Sequence, residues 1–191
     1  MKRAVLTLLA VGFLGAAVHA ETYTIDPYHS SVSFKIKHVI GKVTGKFDKF
    51  TGSFDYDPAH LDKAGAEATI DAASVDTGIE KRDNHLRTPD FFDAQKFPTL
   101  TFKSTGVTDV NGNGAKLHGD LTMHGVTKPV VLDLEIEGVA KDPMGNTRAG
   151  ATATGHVSRE DFGIGPTSGP MAGMVGQDVE ISIEVEGTQK K

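Results

Sequence analysis

Apolar and polar residues alternate along most of this chain. From Ser31 onward, Val32, Phe34, Ile36 and His38 fall on one face, and Ser33, Lys35 and Lys37 on the other. A period of two is that of a strand with one buried face. Val43, Gly45 and Phe47 continue the pattern, followed by Phe50, Gly52, Phe54 and Tyr56. The phase slips by one at Asp48-Lys49, where a β-bulge would restore it. Further inward rows are Ala66, Ala68, Ile70 and Ala72; Leu100 and Phe102; Leu117, Gly119, Leu121 and Met123; and Val130, Leu132, Leu134 and Ile136. The last two rows run from Ala149 to Val157 and from Val179 to Val185. Asn111-Gly-Asn-Gly114, Gly125 and Asp142-Pro-Met-Gly-Asn146 punctuate them as tight turns. About eight strands result, each burying a single face, which is the mark of antiparallel sheet. Closure into a barrel removes the exposed edges; a sandwich is the competing architecture. The expected fold class is therefore all-β, an antiparallel barrel of about eight strands.

One stretch, Ser74 to Ser104, breaks the alternation. Thr77-Gly-Ile-Glu80 fits a capping box, and the charged run to Arg87 ends before Pro89. This predicts one short helix between strands, from Ile79 to about Arg87. Phe91-Phe92 then resemble an anchor. Arg82, Asp83, His85, Arg87 and Asp90 form a charged cluster. It reads as a polar head-group contact through Arg82, His85 and Arg87, or as a solvated helix face held by its own ion pairs.

The N-terminus adds a compartment to this picture. Lys2 and Arg3 precede an apolar run, Ala4 to Ala17, and Val18-His19-Ala20 is a small-residue cleavage site. The expectation is a signal peptide over residues 1–20, cleavage after Ala20, and one domain over 21–191 in the periplasm. An uncleaved membrane anchor is the rival, disfavoured by the shortness of the run. There are no cysteines, so a packed core rather than disulfides must hold the domain. The 20 Lys and Arg less Lys2 and Arg3 leave 18 basic residues against 25 acidic ones, a net of −7. That balance excludes nucleic acid as a natural partner and argues against binding of anionic membranes through overall charge. No stable membrane insertion is expected.

Several inward rows are built of Ala and Gly, while facing rows carry Phe, Leu, Val and Ile. Small residues opposite large ones either fill a tapered barrel or leave room for one elongated apolar ligand. The absence of Trp and the run of small inward residues favour the cavity. Candidate ligand contacts are Phe34, Ile36, Phe47, Phe54, Ile70, Phe102, Leu121, Met123, Leu132, Leu134 and Ile183. His38 shares their face, as a core histidine or as a polar handle for the ligand. No HExxH, no GxSxG elbow and no P-loop occurs. No catalytic residue, metal or cofactor is assigned. The alternative is a His- or metal-dependent enzyme acting on a lipid through His38, His85 or His124. A third reading is a filled barrel that presents a surface to a partner.

The ordered segments resemble those of the YceI family. They are Asp26-Pro-Tyr-His-Ser30 with His38, Gly45-x-Phe-x-x-Phe50-x-Gly52, Ser74-Val-Asp-Thr-Gly78, and Arg82-Asp83-x-His85-Leu86. Pro89-Asp-Phe-Phe92-Asp93, Gly119-Asp-Leu-Thr122, His124-Gly-Val-Thr-Lys-Pro129, Arg159-x-Asp-Phe-Gly163 and Val179-Glu180-Ile181 follow. The resemblance spans the mature chain. It implies an elongated eight-stranded, lipocalin-like barrel holding a long-chain polyisoprenoid, such as a quinone precursor or polyprenyl lipid, or a similar amphiphile. It also implies a role as periplasmic carrier, and a homodimer. It supplies no catalytic residues.

Overall fold

The computed structural model describes residues 20–169 and 172–190. The expected signal peptide, save Ala20, lies outside the described residues. Eleven strands form one antiparallel sheet: β1 (Glu21–Ile25), β2 (Ser31–His38), β3 (Gly41–Phe47), β4 (Phe50–Tyr56), β5 (Gly65–Asp71), β6 (Val75–Asp76), β7 (Thr99–Asn111), β8 (Gly114–Met123), β9 (Val126–Lys141), β10 (Thr147–Ser158) and β11 (Val175–Gln189).

These eleven segments make eight staves of a closed barrel. β11 pairs with β10 along its length, with β2 from Val175 to Glu184, and with β1 from Gly187 to Gln189. β1 and β2 are thus two halves of one stave, parted by the Asp26–Ser30 turn. β3 pairs with β2 and β4 with β1, so they form the next stave. β5 pairs with β4 and β6 with β3, making the third. β7, β8, β9, β10 and β11 supply the other five, and the β1–β11 pairing closes the ring.

The slip at Asp48-Lys49 falls between β3 and β4, and Phe47 and Phe50 on either side are both buried. A matching break lies across from it, at the short 3-10 turn Ala72–Ser74. There the Asp48 amide donates to the Ser74 carbonyl at 3.1 Å and the Lys49 amide to Ser74 Oγ at 3.1 Å. The two breaks satisfy each other's backbone, so neither leaves an unpaired amide in the wall. At the β8–β9 turn, His124 (φ 53°) and Gly125 (φ 76°) are both left-handed, the backbone of a tight hairpin whose twist matches its strands.

The α-helix, α1, spans Glu80–Leu86. It begins one residue later than the sequence suggested, and the capping box does not form. Ile79 is the N-cap and makes no side-chain cap bond. Thr77 instead turns to Asp83, donating its amide (2.9 Å) and hydroxyl (2.5 Å) to Oδ1. A buried carboxylate outcompetes the helix's own amide because it accepts two bonds at once and is otherwise without a partner. Inside the barrel the core falls into two clusters. One gathers around Tyr23, Phe54, Tyr56, Leu117, Leu132 and Ala149; the other around Phe47, Phe50, Ile70, Leu100, Met123 and Phe162.

Candidate ligand-binding site

A cavity of about 370 Å³ runs between these clusters and touches both. That size lies within the roughly 300–1,000 Å³ of small-molecule sites. A barrel with a solid core is therefore not what the chain builds. The cavity exists because of what the inward rows carry. Ala66, Ala68, Ala151 and Ala153 line it from β5 and β10, and their short side chains leave the barrel axis unfilled.

All twelve inward residues named from the sequence line the cavity. Phe34, Ile36 and His38 come from β2, Phe47 from β3, Phe54 from β4, Ile70 from β5 and Phe102 from β7. Leu121 and Met123 come from β8, Leu132 and Leu134 from β9, and Ile183 from β11. Two of the phenylalanines lie over glycines on the neighbouring strand. A Cβ on Gly119 would stand 2.3 Å from the Phe102 ring, and one on Gly45 2.4 Å from the Phe34 ring. Glycine at these positions lets the rings lie flat against the wall and keeps the lumen open.

The charged lining is sparse and gathered at one end. At the α1 end the charged or titratable side chains are His38, Arg82, His85 and Arg159. At the opposite end the nearest carboxylates, Asp55 and Glu67, are exposed and alternate with the inward Phe54, Tyr56, Ala66 and Ala68, so they stand on the outer face, where Asp55 accepts from Thr22 Oγ1 at 2.6 Å. His38 is exposed, so it stands at the mouth and is not a core histidine. Arg82 donates Nε to Thr77 Oγ1 (2.6 Å) and one terminal nitrogen to the Thr77 carbonyl (2.9 Å), which leaves Nη1 without a protein partner among the described residues. His85 bonds Asp90 at 2.9 Å and meets the edge of Phe91, with centroids 5.0 Å apart. Arg87, expected beside them, lines no part of the cavity. Its guanidinium ties α1 to the strands, donating to the carbonyls of Ala73 (2.7 Å) and Val75 (2.8 Å) and to Asn84 (2.9 Å). Its role is that of a clasp.

Sequence reasoning missed Arg159. It begins a 3-10 turn, Arg159–Phe162, after β10, and it is 3% exposed. Its guanidinium donates to the carbonyls of Ile164 (2.7 Å), Gly176 (2.8 Å), Val175 (3.2 Å) and Pro166 (3.3 Å), and to Glu160 (3.3 Å). Phe91 and Phe92, read from sequence as an anchor, also face the lumen. Phe92 meets Phe47 edge-on, with centroids 5.6 Å apart.

Of the residues of the enzymatic alternative, His38 and His85 share the α1 end of the cavity, and His124 lies apart. His124 sits in its left-handed turn, bonded to the Phe162 carbonyl at 3.1 Å and packed on Phe97, away from the lumen. Among the described residues, one cluster has metal-ligand composition: Asp26, His29 and Glu186. Arg148 already supplies its cation, bonding Asp26 at 3.0 Å, Glu186 at 2.5 Å and Asp142 at 3.1 Å. Hydrogen bonds from His29 and then Arg148 lower the Asp26 carboxyl to about 2. Asn146 first, and Arg148 further down, bring Asp142 to about 2 as well. The Glu186, Asp26 and Asp142 carboxylates in turn raise Arg148.

A closed antiparallel barrel around an apolar lumen, with a helix across one end, defines a barrel-type binding protein of lipocalin-like build. The YceI-like domain model matches residues 23–187, and the chain belongs to that family. It is 38% identical over 192 residues to a UPF0312 protein of Vibrio cholerae, covering 96% of this chain and 98% of that one. A UPF0312 protein of Yersinia pestis is 39% identical over 189 residues, covering 97% and 96%. Among solved structures, the YceI protein of Campylobacter jejuni is similar over 100% of both chains at 33% identity, with a TM-score of 0.73. A polyisoprenoid-binding domain of Saccharophagus degradans shares the fold at 17% identity, with a TM-score of 0.67 over 88% of this chain and 98% of that domain.

Proposed function

We propose that this protein holds a long-chain isoprenoid or similar amphiphile in its lumen and carries or sequesters it in the periplasm. The observation that carries the reading is the cavity itself, with walls of hydrocarbon from one end of the barrel to the other. Each buried methylene contributes about 0.8 kcal/mol of transfer free energy, so a chain of several isoprene units binds tightly without polar contacts. Such a molecule is insoluble in an aqueous compartment and needs a container to cross it. A domain of the same fold from Saccharophagus degradans is described as polyisoprenoid-binding, which supports the choice of chain.

The gathering of charge at one end orients the ligand. A phosphate, phenol or carboxyl head group belongs at the α1 end, where Arg82 Nη1, His85 and His38 face the lumen; the opposite end offers it no cation. The apolar tail then runs past Phe102 and Leu121 toward Leu132 and Ile136. The test is organic extraction of purified protein followed by mass spectrometry, from the native host and from a heterologous one. A stoichiometric long-chain amphiphile is the expected result. Recovery of none from either source overturns the reading.

A further inference from the structure

We propose that the tip of the β2–β3 hairpin, Val39-Ile40, docks the mouth of the cavity onto an anionic lipid bilayer. Two features of this hairpin work against its stability in water, and an anionic interface offsets them by burying its apolar tip and neutralising its lysines. The first is the turn. Val39 sits at φ 52° and Ile40 is not left-handed, so the first turn position is one where glycine is preferred and a β-branched residue is strained. The strain secures no packing, because Ile40 is 99% exposed and Val39 51%. The second feature is charge. On the outer face Lys37 stands directly opposite Lys42, beside Lys35, and like charges in register repel. Lys42 reaches Glu180, while Lys35 and Lys37 form no ion pair among the described residues.

The tip lies at the cavity mouth. His38, which lines the lumen, pairs with Gly41 and with Val175, and the Val39 amide donates to the Met174 carbonyl at 2.9 Å. An apolar pair flanked by lysines has the composition of an element that enters the head-group region of a membrane. One isoleucine and half a valine are too little for a stable protein interface, which buries on the order of 1,200 Å² or more. The overall acidity of the chain does not oppose this, because the field of a surface acts over about 8–10 Å and the hairpin's Lys35, Lys37 and Lys42 outnumber Glu180, which stands opposite Lys35 and bonds Lys42. Docking of this kind places the open mouth where an isoprenoid resides. The inference rests on the lipid-binding reading for its purpose, and its test is independent of it.

The chain contains no Trp, so Ile40→Trp gives a single local reporter. With vesicles of brominated-chain phosphatidylglycerol, the indole emission should shift to the blue and be quenched, and less so with phosphatidylcholine. Met144→Trp, in the exposed β9–β10 turn at the other end of the barrel, should show neither effect. The double variant Val39→Gly/Ile40→Asn restores favourable turn chemistry. It should raise Tm, keep its extracted lipid content, and lower vesicle affinity about tenfold or more. Unshifted, unquenched emission from the Ile40→Trp variant overturns the proposal, as does equal quenching at both positions. A double variant that binds vesicles unchanged but falls from dimer to monomer by light scattering also overturns it, in favour of self-association. Protein that retains lipid without quenching sinks the docking alone; protein that never yields lipid sinks the cargo reading.

Discussion

Arg148 and Arg159 lie at opposite ends of β10 and are held in opposite ways. Arg148 stands on the outer wall within reach of Asp26, Asp142 and Glu186, all carboxylates. Arg159 is buried against the lumen and is held chiefly by backbone carbonyls, with Glu160 as its single acid. The first arrangement spends its positive charge on three acids and leaves a net negative patch. The second fixes the geometry of a loop with neutral dipoles, so most of the positive charge remains to act on whatever enters the cavity. On the proposed reading, the difference gives one barrel an inert end and a head-group end with the same residue type.

The sharpest way to break the comparison is Arg159→Met. It leaves several carbonyls of the 164–176 segment without a donor, and should cost about 3 kcal/mol or more in chemical denaturation. Lipid content should fall with it, and the loss should not depend on pH between about 4 and 9. A Tm unchanged from wild type would show that the carbonyl cradle is dispensable. Next in size is Phe34→Asp or Phe102→Asp, which puts an unpaired carboxylate in the apolar wall. Extracted lipid should drop about tenfold or more while circular dichroism stays that of a barrel. Full lipid content in a folded variant removes those residues from the binding surface.

Arg87 and Arg82 then separate clasp from head-group contact. Arg87→Ala should lower stability by about 1–2 kcal/mol and leave the affinity of the remaining folded protein unchanged. Arg82→Gln should weaken a chain with an acidic head more than one with a neutral head. The reverse pattern would exchange the two assignments. The smallest effect is expected at Arg148. Hydrogen bonds, chiefly from His29 to Asp26 and from Asn146 to Asp142, hold both carboxyls down at about 2, below the ordinary carboxylate range. Carboxylates with lowered pKa stabilise the fold fully above about pH 4, and that contribution disappears as pH falls through about 2. Thermal scans from pH 5 to pH 2 should show Tm falling, and Arg148→Met should flatten that fall. Equal slopes in the two proteins would detach the ion pairs from acid stability.

Much of the fold was legible because each inward row has its own period. Val130 to Ile136 and Ala149 to Val157 could face only one way, and the slip at Asp48-Lys49 marked a real break in the stave. The cavity walls were legible for the same reason, since a closed barrel sends every inward residue to the lumen. The division of the first three staves was less visible, because strand pairing across almost the whole chain decides it. Arg159 was visible only as part of the Arg159-x-Asp-Phe-Gly163 segment, and its place at the lumen was not. In sequence it opens a polar turn, and the carbonyls that bury it come from residues 164–176. Thr77 shows the limit of a local rule: Thr77 and Glu80 have capping-box spacing, yet Asp83 offered the Thr77 hydroxyl a better acceptor.

β11 has a further consequence. It is the last strand to be made, and its end meets β1, the first strand, between Tyr23 and Gln189. Contacts so far apart in sequence are slow to form, because the loop entropy of the whole chain must be overcome before they contribute. Until β11 docks, the lumen has no wall on that side and can hold nothing. On the proposed reading, cargo can enter only a finished chain, so folding itself would act as the clock for loading.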